Sequence, residues 1–334
     1  MNFLMIGGTN FLGRHIVQTA LNRGHTVTLF NRGKSNASVF PDLEKIHGDR
    51  DGEIEKVAGR KWDAVIDTCG YFPRVVKQSV EQLLNQVDHY TFISSISVYE
   101  RFSKIGMDEN EAVGKLDHPT VEEITGATYG PLKVYCEQEV LKKFDQKALI
   151  IRPGLIVGPF DPTDRFTYWV DRIAKGGDVL IPNEVDAPAQ FIDVRDLATW
   201  ILSMVEKKQQ GLFNATGPDY PLTLGEFLSA CQNVLNPNTR FIPVSESFLI
   251  SQKVGEWMEL PLWIQKKEEM RGFSQINCEK ALKSGLSFRP LAETIKDTYD
   301  WSETRTKDIE KRAGMNENRE QDLLKKWTDL VSNT

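Results

Sequence analysis

Several features of secreted or membrane-spanning proteins are missing from this sequence. Of its 334 residues only four are cysteines, and these are widely spaced with no CxxC pair (Cys69, Cys136, Cys231 and Cys278). This spacing disfavours a metal knuckle or a disulfide framework, so we predict no metal site and expect a reducing compartment. No stretch approaches the roughly 20 consecutive apolar residues that a membrane helix requires.

Basic residues are also fewer than acidic residues. The chain has 41 lysines and arginines against 47 acidic residues, which gives a net charge of −6. Such a balance disfavours nonspecific attraction to nucleic acid or to an anionic membrane. The first seven residues carry no basic group, and their apolar run is too short for a signal peptide, so they predict a buried strand instead. We therefore expect a cytoplasmic, soluble protein.

The first two thirds of the chain alternate between short apolar runs and amphipathic stretches. The apolar runs predict buried strands at Phe3–Ile6, Thr26–Phe30, Ala64–Ile66, Tyr90–Ser94 and Ala148–Ile151. The amphipathic stretches predict helices over Phe11–Arg23, Arg74–Gln86 and Tyr129–Phe144. This order predicts an α/β fold with a doubly wound parallel sheet and right-handed crossovers.

Beyond about residue 156, proline and glycine become frequent and indicate loops and short elements. A strand-helix unit returns at Phe191–Val205, followed by a strand at Leu212–Asn214. We therefore predict a sheet domain formed by residues 1–155 and 190–215. A smaller, interleaved C-terminal substrate lobe would comprise residues 156–189 and 216–303. The charged segment 304–334 would form a helical tail, with a helix over Glu320–Val331.

The sharpest motif directly follows the first predicted strand and opens a helix. It consists of Gly7, Gly8, Thr9, Asn10, Phe11, Leu12, Gly13 and Arg14. Small residues at such a turn let the backbone approach a pyrophosphate, and the free N–H groups of the helix N-terminus supply donors. Asn10 replaces a glycine in the middle of the usual pattern, but asparagine tolerates left-handed backbone angles. The strand-turn-helix context predicts a dinucleotide site rather than a generic glycine turn.

The end of the second strand bears on the choice of dinucleotide. NAD sites usually place an acidic residue there to bind the ribose 2′-hydroxyl, whereas this chain has Asn31, Arg32 and Lys34. A guanidinium at Arg32, aided by Lys34 and Arg14, suits a 2′-phosphate. The alternative is a solvated basic turn. The prediction is NADP in preference to NAD.

Hydroxyl and ammonium groups point to redox chemistry. Tyr129 and Lys133 are four residues apart, and on a helix both would share one face. An ammonium beside a phenol would lower the phenol pKa toward neutrality and make Tyr129 a usable acid or base. Serines at the end of the predicted strand Tyr90–Ser94, namely Ser94, Ser95 and Ser97, lie where open α/β folds bind ligands.

Together these motifs resemble the short-chain dehydrogenase/reductase superfamily. The chain is similar to the branch near the extended nucleotide-sugar epimerases and dehydratases, and to a subgroup with a Gly-Gly-x-x-x-x-Gly motif, over residues 1 to about 301. The resemblance implies a Rossmann-like fold and a catalytic triad of Ser95, Tyr129 and Lys133. It also implies cofactor contacts from the His-Gly-Asp-Arg, Thr-Cys-Gly and Arg-Pro-Gly segments, through Asp49, Arg50, Thr68, Cys69, Gly70 and Pro153.

Three departures from the family pattern bear on the substrate. Ile96 and Ser97 stand where sugar dehydratases carry an acidic pair, which argues against elimination of water. Leu155 replaces an asparagine, and Ala189 replaces an arginine that holds the diphosphate of nucleotide sugars. Arg165 and Arg172 are candidate replacements for that arginine. Alternatively, Asp164 and Arg165 form a structural pair at the start of a helix.

These observations predict an NAD(P)-dependent oxidoreductase, or a redox epimerase, acting on a small hydroxyl or carbonyl compound, with sugar-like compounds among the candidates. Candidate substrate contacts are Tyr71, Ser97, Tyr99, Arg165 and Gln190. The alternative is a non-catalytic dinucleotide-binding or RNA-binding protein, because some relatives of the subgroup are described as RNA-binding. By resemblance alone, a homodimer would form through helices 74–86 and 129–144.

Overall fold

The structure is a computed structural model that describes residues 1–118, 120–306 and 310–333. Its strands, in chain order, are β1 (Asn2–Ile6), β2 (Thr26–Asn31), β3 (Glu44–His47), β4 (Ala64–Asp67), β5 (Tyr90–Ile93), β6 (Ala148–Pro153), β7 (Leu155–Val157), β8 (Asp178–Pro182), β9 (Phe191–Asp193), β10 (Gly211–Ala215) and β11 (Arg240–Val244).

The α-helices run between and after these strands. In chain order they are α1 (Phe11–Asn22), α2 (Pro73–Leu83), α3 (Tyr129–Phe144), α4 (Arg165–Lys175), α5 (Val194–Glu206), α6 (Leu224–Leu235), α7 (Glu246–Ser251), α8 (Glu279–Lys283), α9 (Leu291–Glu303) and α10 (Glu317–Ser332). None of the helices in the described part of the chain has the length and apolar character needed to cross a membrane.

Seven of the described strands form one parallel sheet in the order β10-β6-β5-β4-β1-β2-β3. The chain starts in the interior of the sheet at β1, builds outward through β2 to β3, and then returns to β4 on the other side of β1. This reversal is the doubly wound arrangement predicted from the sequence. It leaves a crevice at the carboxyl ends of the strands, where ligands bind in open α/β sheets.

Alternating side chains of the strands supply both faces of the sheet. On one face Phe3 and Met5 of β1 join a core with helices α1 and α5. On the other face Leu4 and Ile6 join a core with α2 and α3. Because successive residues of a strand point to opposite faces, apolar runs without polar interruptions are what a sheet covered on both sides requires.

A separate hydrophobic cluster lies outside the sheet. It includes Trp169 of α4, Phe227 of α6 and Ile295 of α9, with β8 and β11 paired in a small parallel sheet. Leu323 of α10 is fully buried in the same cluster, so the C-terminal helix packs against this lobe. Of the segment 304–334, residues 307–309 and 334 lie outside the described residues. The exact division into domains stays a prediction.

Several elements were not predicted from the sequence, and the strand β3 and the helix α4 are two of them. The edge strand β3 has the sequence Glu-Lys-Ile-His and is only partly buried, so it lacks the apolar run that identified the other strands. Helix α4 lies in the stretch 156–190, which the proline and glycine content indicated as loops. The buried face of α4 (Phe166, Trp169, Val170 and Ile173) has helical spacing that could have revealed it.

The C-terminal helix is fastened to the lobe by a buried carboxylate. Glu320 of α10 accepts hydrogen bonds from Arg172 Nε at 2.6 Å and from the backbone N–H of Leu180 at 2.9 Å. Its side chain is 2% exposed. Arg172 therefore contributes to the fold of the lobe and is not available to a ligand.

Replacement of Glu320 by alanine should strongly destabilise the protein, because it leaves the Arg172 guanidinium without its buried partner. We expect a loss of about 3–5 kcal/mol in the free energy of unfolding, measured by denaturant unfolding. Glu317→Ala is the matched control on the same helix, since Glu317 makes only a solvent-exposed pair with Lys175. Equal midpoints for the two variants would contradict this account.

Candidate active site

The turn after β1 is built for close approach of the backbone to a ligand. Gly7 and Gly8 have positive φ angles of 103° and 91°. A Cβ atom on Gly8 would lie 2.8 Å from Leu29, and one on Gly13 would lie 3.0 Å from the Gly8 backbone. Side chains at these positions would force the turn away from helix α1. The glycine pattern therefore brings the α1 N-terminus to the carboxyl edge of the sheet.

The asparagine in this turn has a different role from the one predicted. Asn10 is extended, with φ −115° and ψ 144°, so the left-handed tolerance of asparagine is not needed. Its side-chain oxygen instead accepts a 2.6 Å hydrogen bond from Asn36, which also donates to the carbonyl of Thr9. The loop after β2 is thereby tied to the glycine turn.

The end of β2 leaves Arg32 available. The Asn31 side chain donates to the Gly7 carbonyl at 3.1 Å and accepts from the Gly33 N–H at 2.9 Å, so it is occupied in holding two loops together. Arg32 is 61% exposed and lies 3.9 Å from Asp49. A solvent-exposed pair of this kind is weak, which leaves the guanidinium free to bind another anion.

These loops enclose a cavity of about 400 Å³ at the carboxyl ends of β1 to β4, within the usual size range for small-molecule sites. It brings together many of the predicted cofactor residues, and its lining includes Gly7, Thr9, Asn10, Asn31, Arg32, Lys34, Asp49, Arg50, Cys69 and Tyr71.

The other predicted cofactor residues lie around this cavity. Gly8, Leu12 and Gly13 are buried behind the turn, and Phe11 packs against the core. Thr68 donates its hydroxyl to the Ile6 carbonyl at 3.0 Å. Arg14 stacks on the ring of Phe160 with its guanidinium carbon 3.7 Å from the ring centre. Gly70 lies beside Lys133, whose ammonium donates to its carbonyl. Pro153 is the last residue of β6.

Arg50 was predicted as a cofactor contact, but its charge is used within the protein. Both terminal nitrogens donate to Asp67 at 2.8 Å, and one also donates to Ser79. Tyr90 donates its hydroxyl to the same carboxylate at 2.9 Å. Asp67 is fully buried, and a buried carboxylate needs such partners. Arg50 therefore forms the floor of the cavity, with its guanidinium committed to Asp67.

Ser95 and Tyr129 come together at the end of β5. Ser95 is the second residue after the strand; its hydroxyl accepts from the Ser97 N–H at 3.1 Å and donates to the Ser97 hydroxyl at 3.1 Å. Tyr129 is the first residue of α3. Burial raises the pKa of Tyr129, while the nearby Ser95 hydroxyl and the positive charge of Arg165 act in the opposite direction.

The structure does not support the predicted lowering of the Tyr129 pKa by Lys133. The Lys133 ammonium donates to the carbonyls of Gly70 at 2.8 Å and Ile93 at 2.6 Å, and burial lowers its pKa. The phenol pKa is raised rather than lowered, because burial of Tyr129 outweighs the neighbouring favourable groups. Tyr129 is accordingly protonated at neutral pH.

Close packing explains how helix α3 reaches this position. A Cβ atom on Gly130 would lie only 1.9 Å from the carbonyl oxygen of Ser97, so this residue must be glycine for the helix to meet the turn. Sequence reasoning overlooked Gly130, although a glycine directly after the tyrosine was the available signal.

A buried ion pair that the sequence analysis missed joins the same helix to strand β6. Glu137, one turn after Lys133, accepts from Arg152 of β6 at 3.0 and 2.7 Å and from the Ser94 hydroxyl at 2.5 Å. Both ion-pair side chains are at most 4% exposed. Charged residues on the buried side of an otherwise apolar helix were the signal for this pair. Ser94 therefore has a supporting role.

The predicted substrate contacts separate into two groups. Tyr99 is buried and donates its hydroxyl to Asn214 at 2.7 Å, and Gln190 makes two 2.9 Å hydrogen bonds with the Ile276 backbone, so both are structural. Tyr71 lines the cavity and is 42% exposed, and partial loss of solvent together with the nearby Tyr129 raises its pKa. Ser97 contacts Ser95, and Arg165 lies near Tyr129.

Within residues 1–118, 120–306 and 310–333, no group of three or more histidine, cysteine, aspartate or glutamate side chains is arranged to hold a metal ion.

Comparisons with known proteins agree with this architecture. The chain is 26% identical over 253 residues to the chloroplast stem-loop binding protein of 41 kDa b of Arabidopsis thaliana, a match that covers 68% of this chain and 61% of that protein. The chain thus spans about three fifths of the length of this relative.

Solved structures of sugar-nucleotide epimerases share the fold. UDP-glucuronic acid 4-epimerase from Bacillus cereus, in complex with NAD, superimposes with a TM-score of 0.65 at 15% identity over 91% of this chain and 99% of that one. UDP-N-acetylglucosamine 4-epimerase from Bacillus cereus gives a TM-score of 0.67 at 16% identity over 93% and 99% of the two chains.

The predicted resemblance to this group of proteins is confirmed by a match to a family model over residues 3–216. The chain belongs to the NAD dependent epimerase/dehydratase family.

Proposed function

We propose that this protein is an oxidoreductase, or a self-restoring redox epimerase, that prefers NADP and acts on a small hydroxyl or carbonyl compound. Ser95, Tyr129 and Lys133 are its catalytic residues. The observation that carries the proposal is the close packing of the start of α3, at Tyr129, against the turn that holds Ser95 and Ser97. Tyr71, which lines the cavity and interacts with Tyr129, connects this packing to the cavity at the glycine turn.

The residues around the cavity fit a dinucleotide. The glycine turn and the N-terminus of α1 would hold the pyrophosphate, since the three glycines leave no room for side chains there. Asp49 would accept from the adenine, and Arg32 would bind a 2′-phosphate. When bound, the nicotinamide would supply hydride transfer to or from the substrate carbon.

Each catalytic side chain has a defined task. Tyr129 donates a proton to the carbonyl oxygen in reduction and removes it from the alcohol in oxidation, while the Ser95 hydroxyl holds the same oxygen. Lys133 uses two of its three N–H groups on backbone carbonyls. The third is left for the hydroxyls of the nicotinamide ribose.

The residues that depart from the sugar-dehydratase pattern support redox chemistry without loss of water. Ile96 is buried and apolar where an acid would be needed for elimination. Ala189, at the position of the diphosphate-binding arginine, is also buried and cannot bind an anion. A nucleotide sugar would need a different cation.

Replacement of Tyr129 by phenylalanine should lower turnover by about 100- to 10,000-fold, the usual contribution of a positioned acid or base. The measurement is NADPH oxidation with a carbonyl compound identified in a screen of small aldehydes, ketones and keto sugars. Tyr135→Phe is the matched control, since Tyr135 lies on the same helix and is only partly buried. Intact turnover in Tyr129→Phe would remove the proposed proton transfer.

The pH dependence should differ between the two directions of the reaction. Because the pKa of Tyr129 is raised, the phenol stays protonated through neutral pH. Carbonyl reduction should therefore be nearly independent of pH around neutrality, and alcohol oxidation should rise as the pH increases into the alkaline range. Initial rates in both directions on the wild-type protein test this. An oxidation rate that levels off below neutrality would contradict it.

The choice of dinucleotide is tested by fluorescence titration with NADPH and with NADH. We expect NADPH to bind more tightly, and Arg32→Ala to weaken NADPH binding roughly tenfold or more, as expected for loss of a charge-assisted hydrogen bond, without changing NADH binding. Arg240→Ala, which removes an exposed cation of the lobe, is the control. Equal binding of both dinucleotides would remove Arg32 as the selector, and no binding of either would overturn the proposed enzyme.

A second candidate function, RNA binding, is favoured by one observation, the similarity to a protein named for stem-loop binding. The net charge of −6 opposes it. A titration with a stem-loop RNA at increasing salt separates the two functions. Tight binding that weakens steeply with salt would favour the RNA-binding function.

A further inference from the structure

Arg165, the first residue of α4, is a cation without an anionic partner. No carboxylate in the described parts of the chain lies within ion-pair distance of its guanidinium. Among the residues that the structure describes, the one hydrogen-bond partner of its terminal nitrogens is the sulfur of Met258, at 3.5 Å from Nη2. The Nε atom is buried and has no partner among the same residues. A charge this poorly satisfied requires an explanation, because burying unpaired donors is costly.

A structural role as the partner of Asp164 does not provide that explanation. Asp164 is buried and forms an ion pair with Arg305, while its second oxygen accepts from the Arg312 N–H at 3.0 Å. Asp161, the next acid along the chain, accepts from the N–H and the hydroxyl of Thr163 at 2.8 and 3.1 Å. Both carboxylates near the start of α4 are thus committed elsewhere.

An aromatic ring and a thioether flank the Arg165 guanidinium. Its guanidinium carbon lies 5.4 Å from the centre of the Trp257 ring, which with Met258 supplies an apolar surface beside the charge. Burial lowers the pKa of Arg165, and the charge of Asp161 acts in the opposite direction. An arginine retains its charge despite such a shift.

Arg165 also acts electrostatically on Tyr129, one of the proposed catalytic residues. Its positive charge is close enough to lower the pKa of Tyr129 against the effect of burial. Arg172, the other candidate cation of this helix, is held by Glu320 and by the carbonyls of Gly176 and Asp178. Arg165 is therefore the cation of α4 that can serve a molecule held against Tyr129.

We infer that Arg165 binds an anionic group of the substrate, a carboxylate or a phosphate, and so positions the reacting carbon against Tyr129 and Ser95. The inference rests on the proposed function and narrows its substrate class to acidic hydroxyl or carbonyl compounds. Carboxylates and phosphates both match the planar donors of a guanidinium. The same cation would compensate for the missing arginine at Ala189 if the anion were a diphosphate.

The test is calorimetric titration of the protein saturated with its dinucleotide. The anionic probes are D-glucuronate, D-glucose 6-phosphate and UDP-glucose, which present a carboxylate, a phosphate monoester and a diphosphate; D-glucose is their uncharged counterpart. We expect at least one anion to bind tenfold more tightly than D-glucose. Arg165→Met should weaken that binding tenfold or more, Arg165→Lys should restore part of it, and Arg240→Met should change nothing.

Three results would overturn the inference. They are failure of all three anions to bind, equal binding of D-glucose and the anions, and unchanged anion binding in Arg165→Met. A lower melting temperature of Arg165→Met with an unchanged preference for anions would assign Arg165 a structural role instead. In each case, dinucleotide binding to the wild-type protein would leave the proposed function standing. Absence of dinucleotide binding would overturn the proposed function and this inference together.

Discussion

The buried ion pair between Glu137 and Arg152 is the interaction on which the candidate site depends. It joins helix α3 to strand β6 in the interior, and the Ser94 hydroxyl adds a third contact from β5. A buried pair of this kind contributes little net stability, but removing one partner is costly because it leaves the other charge uncompensated. Its consequence is positional: α3 cannot rotate or slide without breaking it. Lys133 and Tyr129, one and two turns earlier on the helix, are therefore held in one register against the end of β5.

The same reasoning separates the charges that build this protein from those that are available to ligands. Arg50 is committed to Asp67 and Arg172 to Glu320, and in each case the carboxylate is almost completely buried. Arg32 and Arg165 have no such commitment, although both lie beside groups that we assign to ligand binding. A cation that has no buried carboxylate partner in the fold is a better indication of function than the number of basic residues in that region.

Much of the fold could be predicted from the sequence, because strands covered on both faces need uninterrupted apolar runs and glycine turns need positive φ angles. The strands β1, β2, β4, β5 and β6 and the helix α3 follow from these local rules. The strand β3 could not be found in this way, since an edge strand is stabilised by its ladder with β2 rather than by apolar side chains. The site was predicted less completely. Arg50 and Gln190 were predicted as ligand contacts from their residue type and position. In the structure they bind Asp67 and the Ile276 backbone, which come from distant parts of the chain.

The electrostatics of the site show the same dependence on distant groups. Lys133 is buried among apolar rings, with its ammonium 4.4 Å from the centre of the Phe92 ring. Burial lowers its pKa, and the negative charges that oppose this effect include Asp67 and Glu137. These are the carboxylates of the two buried ion pairs that shape the cavity floor and anchor α3. The acids that fix the scaffold thus also help to keep Lys133 charged. A tyrosine-lysine spacing read from the sequence contains neither these acids nor the burial of Tyr129, and it is this burial that raises the pKa of Tyr129 where the spacing predicted a lower one.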